Sequence, residues 1–219
     1  AVALALTFTG CFDDNDSSAD ASSVTENDVS DVSGHDDDSS ANEDTVVVGT
    51  LTDSRDGATY KTVKIKNQVW MAENLNFSYK DDEESWCFNR IDSNCVSYGR
   101  LYSWDAAQKV CPEGWRLPSS TEFETLAKNV GGLGVAGDAL KSRTGWGDDM
   151  GRDLFGFNAL LAGMYAPNAF GFTQDRAVFW SSTERDELHA YYLALDKYFD
   201  AEIEFVNKIN GHSVRCLED

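Results

Sequence analysis

The sequence predicts an α+β domain in which two early helices pack on an irregular antiparallel sheet. Three observations predict it. Thr59–Ile65 alternates polar and apolar residues as a half-buried strand does, and a second short strand follows a turn. A segment of apolar residues at helical spacing then leads into a second one opened by a capping box. From Phe155 onward short aromatic runs recur between turn residues, which places strands after helices rather than alternating with them.

Taken in chain order, Asp53-Ser-Arg-Asp-Gly57 is a turn signal, and Lys66-Asn67-Gln68 turns the chain between residues 59–65 and Val69-Trp70-Met71, so a hairpin opens the domain. Residues 75–97 are polar and read as a loop. In 100–110, Leu101, Trp104, Ala107 and Val110 recur at helical spacing, and Pro112 and Gly114 close that helix. Ser119 caps the next one with Glu122 three residues on; Phe123, Leu126, Ala127 and Val130 form its buried face, and Gly131-Gly132 ends it. Residues 155–161, 177–180, 190–195 and 212–216 read as strands.

Composition divides the chain before any of this. Residues 12–45 hold ten Asp, two Glu, many Ser and no Lys or Arg, with Phe12 as their one aromatic. Such a stretch cannot bury enough apolar surface to offset the entropy of ordering it, and is expected to form a disordered acidic tether. Of the net charge of −20 the tether carries −12, which leaves −8 on residues 46–219, a length that supports one well-buried core. Moderate acidity without a basic stripe excludes nucleic acid as a partner. Like charges extend the tether, so its thirty-four residues would hold the domain about 30 to 110 Å from an anchor.

The anchor is expected at Cys11. Residues 1–11 form a short apolar run that ends in small residues and a cysteine, too short to span a bilayer but matching the core of a secretory signal. The run begins without Met or a basic leader, so a longer precursor is expected. Phe8-Thr9-Gly10-Cys11 resembles the lipobox of bacterial lipoproteins, which implies cleavage before Cys11 and its acylation; Leu is more usual where Phe8 stands. Each buried methylene of the acyl chains contributes about 0.8 kcal/mol to anchoring. An ordinary secretory signal with Cys11 as a stray thiol is the alternative. The acidic run after Cys11 resembles signals that export lipoproteins to the outer face of the outer membrane, and a plain solvated spacer would read the same.

Removing Cys11 leaves Cys87, Cys95, Cys111 and Cys216, an even number in an exported domain. Cys87 and Cys95 can close a local loop, and Cys111 and Cys216 would then tie the end of a helix to the last strand. Zinc would call for CxxC pairs or clustered histidines, whereas His35, His189 and His212 are scattered.

Several phrases stand together in the domain: Asn67-Gln-Val-Trp-Met-Ala-Glu-Asn-Leu-Asn76, Tyr98-Gly-Arg-Leu-Tyr-Ser-Trp104, Cys111-Pro-Glu-Gly-Trp-Arg-Leu-Pro118, Phe179-Trp-Ser-Ser-Thr-Glu184 and Ser213-Val-Arg-Cys216. They resemble the Fibrobacter succinogenes major paralogous domain, in family order from about Gly49 to the C-terminus. The Trp-Arg-Leu-Pro phrase leading into a Ser-Thr-Glu-Phe helix also resembles C-type-lectin-like and formylglycine-generating-enzyme-like domains. The resemblance implies a compact C-type-lectin-like fold on a cell-surface protein and leaves the activity open. The reactive cysteines of formylglycine-generating enzymes have no counterpart once two disulfides are drawn, so that oxidase activity is not expected.

Other motifs weigh little. Gly132-Leu-Gly-Val-Ala-Gly137 has the spacing of a dinucleotide fingerprint, but a helix rather than a strand precedes it. No Gly-x-Ser-x-Gly elbow occurs, and paired carboxylates for sugar hydrolysis are a matter of three-dimensional separation. Residues 147–153 form an oxygen-rich loop that could hold calcium, or stand as a solvated loop without the EF-hand spacing. No other cofactor is expected. Trp70, Trp104 and Trp115 read as core. Trp146, Tyr165, Phe170 and Trp180 flank loops after the helices, where lectin-like folds carry ligand. Trp146, Asn158, Tyr165, Asn168, Asp175 and Trp180 are therefore the candidate ligand residues, with aromatic faces for sugar rings and amides or carboxylates for hydroxyls. Packing under long loops is the competing role for each aromatic. The expected function is non-catalytic binding of glycan or plant polysaccharide on the cell surface, the membrane touched through the lipid anchor alone. A surface adhesion or structural protein with a protein partner is the alternative.

Overall fold

Hairpin chemistry opens the domain as the alternation dictates. The structure is a computed structural model that describes residues 47–219 except 81–82, 168, 172–174 and 198–199. Cys11, the tether and Asn168 lie outside the described residues. Strands β1 (Val47–Thr52), β2 (Thr59–Ile65) and β3 (Gln68–Met71) form an antiparallel meander. Its first turn is locked by Asp53, whose carboxylate accepts from the Arg55 backbone and guanidinium. Tyr60, Val63, Ile65, Trp70 and Met71 point inward and are buried.

The expected loop at 75–97 contains regular structure. A two-residue strand β4 (Ser85–Trp86) is followed by a 3-10 turn at Phe88–Arg90 and a helix α1 (Asp92–Tyr98). The Cys87–Cys95 bridge, with a Cα separation of 4.9 Å, folds this polar segment back on itself. The expected helix at 100–110 shrinks to strand β5 (Leu101–Tyr102) and a single turn α2 (Trp104–Ala107) capped by Ser103. Tyr102 exchanges backbone hydrogen bonds with His212, and that pairing holds the first residues extended.

After β6 (Trp115–Arg116), helix α3 (Ser120–Asn129) starts with the expected capping box between Ser119 and Glu122. It buries Phe123, Leu126 and Ala127, and Phe123 stacks on Trp70 with ring centroids 5.3 Å apart. The stretch with dinucleotide-like spacing forms helix α4 (Leu133–Leu140) with Gly132 as its N-cap, and this helix buries Ala136, Ala139 and Leu140.

Residues 155–161 are not a strand. Ala159 makes one isolated bridge to Lys141, and the left-handed φ of 53° at Asn158 breaks an extended path. Strands β7 (Met164–Ala166) and β8 (Ala169–Gly171) form a small hairpin, and β9 (Arg176–Glu184), β10 (His189–Asp196) and β11 (Ala201–Asn207) an antiparallel sheet in the order β11-β10-β9. The short β12 (Leu217–Glu218) inserts between β3 and β6 to complete a five-stranded sheet. The class is thus α+β as expected, with four antiparallel sheets described rather than one irregular sheet.

Two large cores and a smaller cluster of Trp86, Phe88 and Leu101 fill the interior. One joins the first sheet, α3, α4 and the inner face of β9 and β10 through Trp70, Phe123, Leu126, Phe157, Phe179 and Leu193. The other gathers Met71, Leu75, Tyr102, Val110, Trp180 and Val214. The expected strand at 212–216 is a series of single contacts: Gly211 bridges Tyr165, His212 bridges Tyr102, Ser213 bridges Phe179, and Leu217 pairs with Trp70 and Arg116.

Both expected disulfides are present. Cys111–Cys216 spans 105 residues and Cys87–Cys95 spans 8. In the chain-entropy model the long loop is worth about 4.7 kcal/mol and the short one about 2.6 kcal/mol. Cys111→Ser should therefore lower the denaturation midpoint well beyond Cys87→Ser in parallel urea titrations.

His212 supplies an acid-sensitivity test. It is 1% exposed between the rings of Trp180 and Tyr192, and neither ring nitrogen finds a hydrogen-bond partner among the described residues. Burial pushes its pKa down from 6.5 to about 3. The native state keeps it neutral while the unfolded chain takes up a proton below about pH 6.5. Stability is thus lost as pH falls from about 6.5 toward 3, by up to about 1.4 kcal/mol per pH unit. His212→Phe should lose less stability than the parent between pH 7 and 4.5, measured by urea unfolding at each pH.

Candidate functional site

One recess is built mainly by the long connection between α4 and β7. Lys141 ends α4 with its side chain wholly buried, and its ammonium donates to the backbone oxygens of Asp149 (3.1 Å) and Lys197 (2.7 Å). Gly151 packs so close that a Cβ there would sit 2.3 Å from the Lys141 Cβ, so only glycine fits. Trp146 lies over this ammonium, 4.8 Å from ring centroid to Nζ, and its indole N–H is shared between Ser142 Oγ and the Ala159 carbonyl. Burial lowers the Lys141 pKa while Asp138, Asp149 and Asp196 oppose the shift.

Trp146, Asp148, Asp149, Asp175 and Lys197 line the resulting recess of about 500 Å³, with Tyr98 and Leu160 at its edge. Asp175 and Lys197 form an ion pair across it at 2.8 Å. Tyr98 and Leu160 also bound a second recess of about 350 Å³, lined by Tyr60, Glu73, Asn76 and Asn158. The volumes are those of small-molecule sites.

Arg215 holds two of the residues that line the second recess, Asn74 and Asn158. Its guanidinium is fully buried and donates to Asn74 Oδ1 (2.6 Å) and to the carbonyls of Met71 (3.1 Å), Phe157 (2.5 Å) and Asn158 (2.9 Å). Asn74 in turn donates to the Tyr98 carbonyl at 2.8 Å. Gly99 allows that approach: its φ is 75°, and a Cβ would come within 2.6 Å of the Asn74 Cβ. Asn158 is held from its other side by Asp153, which accepts from the Asn158 N–H. Burial raises the Asp153 pKa. Asn76 also lines the second recess, with its Oδ1 buried and without a hydrogen-bond partner among the described residues.

The phrases that run through this scaffold fit one family. The model of the Fibrobacter succinogenes major domain matches residues 63–218. The chain belongs to this family. No curated protein and no solved structure matches the chain. The Fibrobacter succinogenes major domain thus takes in all but the first strand and part of the second, together with both recesses save for the part at Ala58, Thr59 and Tyr60.

Within this domain the candidate ligand residues separate. Trp146 and Asp175 share the larger recess, and Asn158 lines the adjoining one. Tyr165 lies elsewhere, stacked on Trp86 at 4.0 Å beside a third recess that also holds Glu84 and Lys208. Trp180 is not a loop aromatic: it is 0% exposed in the middle of β9, with its indole N–H bonded to the Tyr102 carbonyl at 2.7 Å. Trp146 is 4% exposed, so it is part of a wall and not an open stacking platform. Both tryptophans took the packing role because each finds a buried acceptor for its N–H. Of the oxygen-rich loop, Asp148 and Asp149 line the larger recess, and among the described residues no three His, Cys, Asp or Glu side chains gather as a metal-holding group.

Tyr98, Leu160, Lys197 and Asn76 are site residues that sequence reasoning missed. The Tyr98-Gly99 phrase was the available signal, since a glycine fixed after an aromatic marks a close backbone approach.

Replacing Arg215 by Lys keeps the charge but loses the fork that reaches two chain segments at once. Arg215→Lys should cost about 3 kcal/mol or more of folding free energy, because buried carbonyls lose their donors. Urea unfolding of the parent and the variant measures it.

Proposed function

We propose that this chain is a lipid-anchored cell-surface protein whose domain, C-type-lectin-like in arrangement, binds glycan or plant polysaccharide without turning it over. The observation that carries the reading is the pair of adjoining recesses, where amides and carboxylates (Asn158, Asn76, Glu73, Asp175) surround the exposed aromatic Tyr98, with the buried Tyr60 and Trp146 in the walls. That mixture suits polyols: ring faces meet apolar carbon, and fixed amides and carboxylates take hydroxyls. Binding without catalysis is the simpler reading because all four cysteines of the domain are consumed in disulfides and the sequence carries no nucleophile elbow. The acidic tether and Cys11 suit display from the outer membrane.

A protein partner is the second reading. It is favoured by α1 and its cap, where Val96 is 83% and Ile91 50% exposed beside the smaller recess.

Two experiments test these statements. Cells expressing the precursor with Cys11→Ser should release the protein from the membrane fraction, and undiminished membrane association would end the lipoprotein reading. The full chain should be retained by at least one member of a panel of glycans, insoluble cellulose and xylan without accumulation of reducing ends. Failure across the panel removes the sugar reading, and accumulating reducing ends would make the protein an enzyme.

A further inference from the structure

We infer that the two recesses act as one groove for a linear, neutral oligosaccharide that crosses Tyr98, with the Tyr98 ring as the central platform. This rests on the glycan reading above. Tyr98 and Leu160 are common to the linings of both recesses, so a ligand confined to one side leaves the other empty. Tyr98 ends α1 with its side chain 36% exposed, while its backbone is fixed by Asn74 and by the glycine that follows. A ring on a fixed backbone at the junction of two polar recesses is placed to stack on one sugar while its neighbours reach outward on either side. On one side they meet Asn158, Asn76 and Glu73, whose amides and carboxylate suit sugar hydroxyls. On the other they meet Asp148, Asp149 and Asp175.

Charge decides the class of polymer. The linings carry Glu73, Asp148, Asp149 and Asp175 against Lys197, whose ammonium already lies 2.8 Å from Asp175. Uronate polymers would place like charges against these carboxylates, whereas neutral hydroxyls accept them as hydrogen-bond partners.

Titration calorimetry of the full chain with neutral cello- and xylo-oligosaccharides of one to six residues tests the inference. The expected result is that affinity climbs with chain length over the first several residues and that Tyr98→Ala lowers hexamer affinity about tenfold or more, with an unchanged melting temperature. Tyr98→Trp, which keeps a flat ring, should retain the affinity. An oligogalacturonate hexamer should bind more weakly than the neutral hexamers. Equal affinity for one residue and six, undiminished hexamer binding by Tyr98→Ala, or preference for the galacturonate would each overturn the inference and leave the glycan reading standing. Absence of binding at every length and charge would overturn both.

Discussion

The fold turns on one buried cation. Arg215 has no access to solvent, so its charge must be solvated by protein, and the atoms that do this are oxygens from Met71, Asn74, Phe157 and Asn158. The rings of Phe157 and Phe179 flank it, with centroids 4.8 and 5.5 Å from the guanidinium carbon. Burial still dominates and pushes the Arg215 pKa down to about 9, against the distant favourable charges of Asp153 and Glu73. A charge so placed tolerates no drift of its partners. The end of the first hairpin and the connection after α4 are fixed to the segment that carries Arg215 because both must meet its guanidinium.

The same segment joins the sheets. Between Gly211 and Leu217 the chain makes single bridges to strands of all four, and Cys216 is bonded to Cys111. Each bridge is weak alone, but together they leave the segment no alternative register. That explains why a stretch with the pattern of a strand is not one: its successive residues serve different partners. The segment also completes the core, since Leu217 packs among the buried residues of the first sheet.

The site inherits its shape from these constraints. Phe157 and Asn158 give their carbonyls to Arg215, which bends the connection out of an extended path and turns Asn158 toward the second recess. Trp146 is drawn under the same connection by its bonds to Ser142 and Ala159. With the indoles of Trp146 and Trp180 both satisfied inside, the accessible aromatic surface at the junction of the recesses falls to Tyr98, just past the segment whose polarity reads as loop.

What the sequence determined by itself was local or covalent. Alternation in residues 59–65 set the first hairpin, the Ser119–Glu122 capping box set the start of α3, and the even cysteine number called for two disulfides, with a pairing that the spacings favoured among three connectivities. Each depends on neighbours within a few residues or on a bond that composition announces. Tertiary structure decided the rest. Helix α4 forms despite two glycines because burial of Ala136, Ala139 and Leu140 outweighs their low propensity, and α1 forms where a disulfide closes a polar loop. Of the candidate ligand residues, the placing of Trp146, Asp175 and Asn158 around Tyr98, of Tyr165 in another recess and of Trp180 in the core could be settled only in three dimensions. Whether an aromatic lies on a surface or in a core depends on which buried acceptor its polar atom can reach, and those acceptors (Ser142 and Ala159 for Trp146, Tyr102 for Trp180) come from wherever the fold brings the chain together.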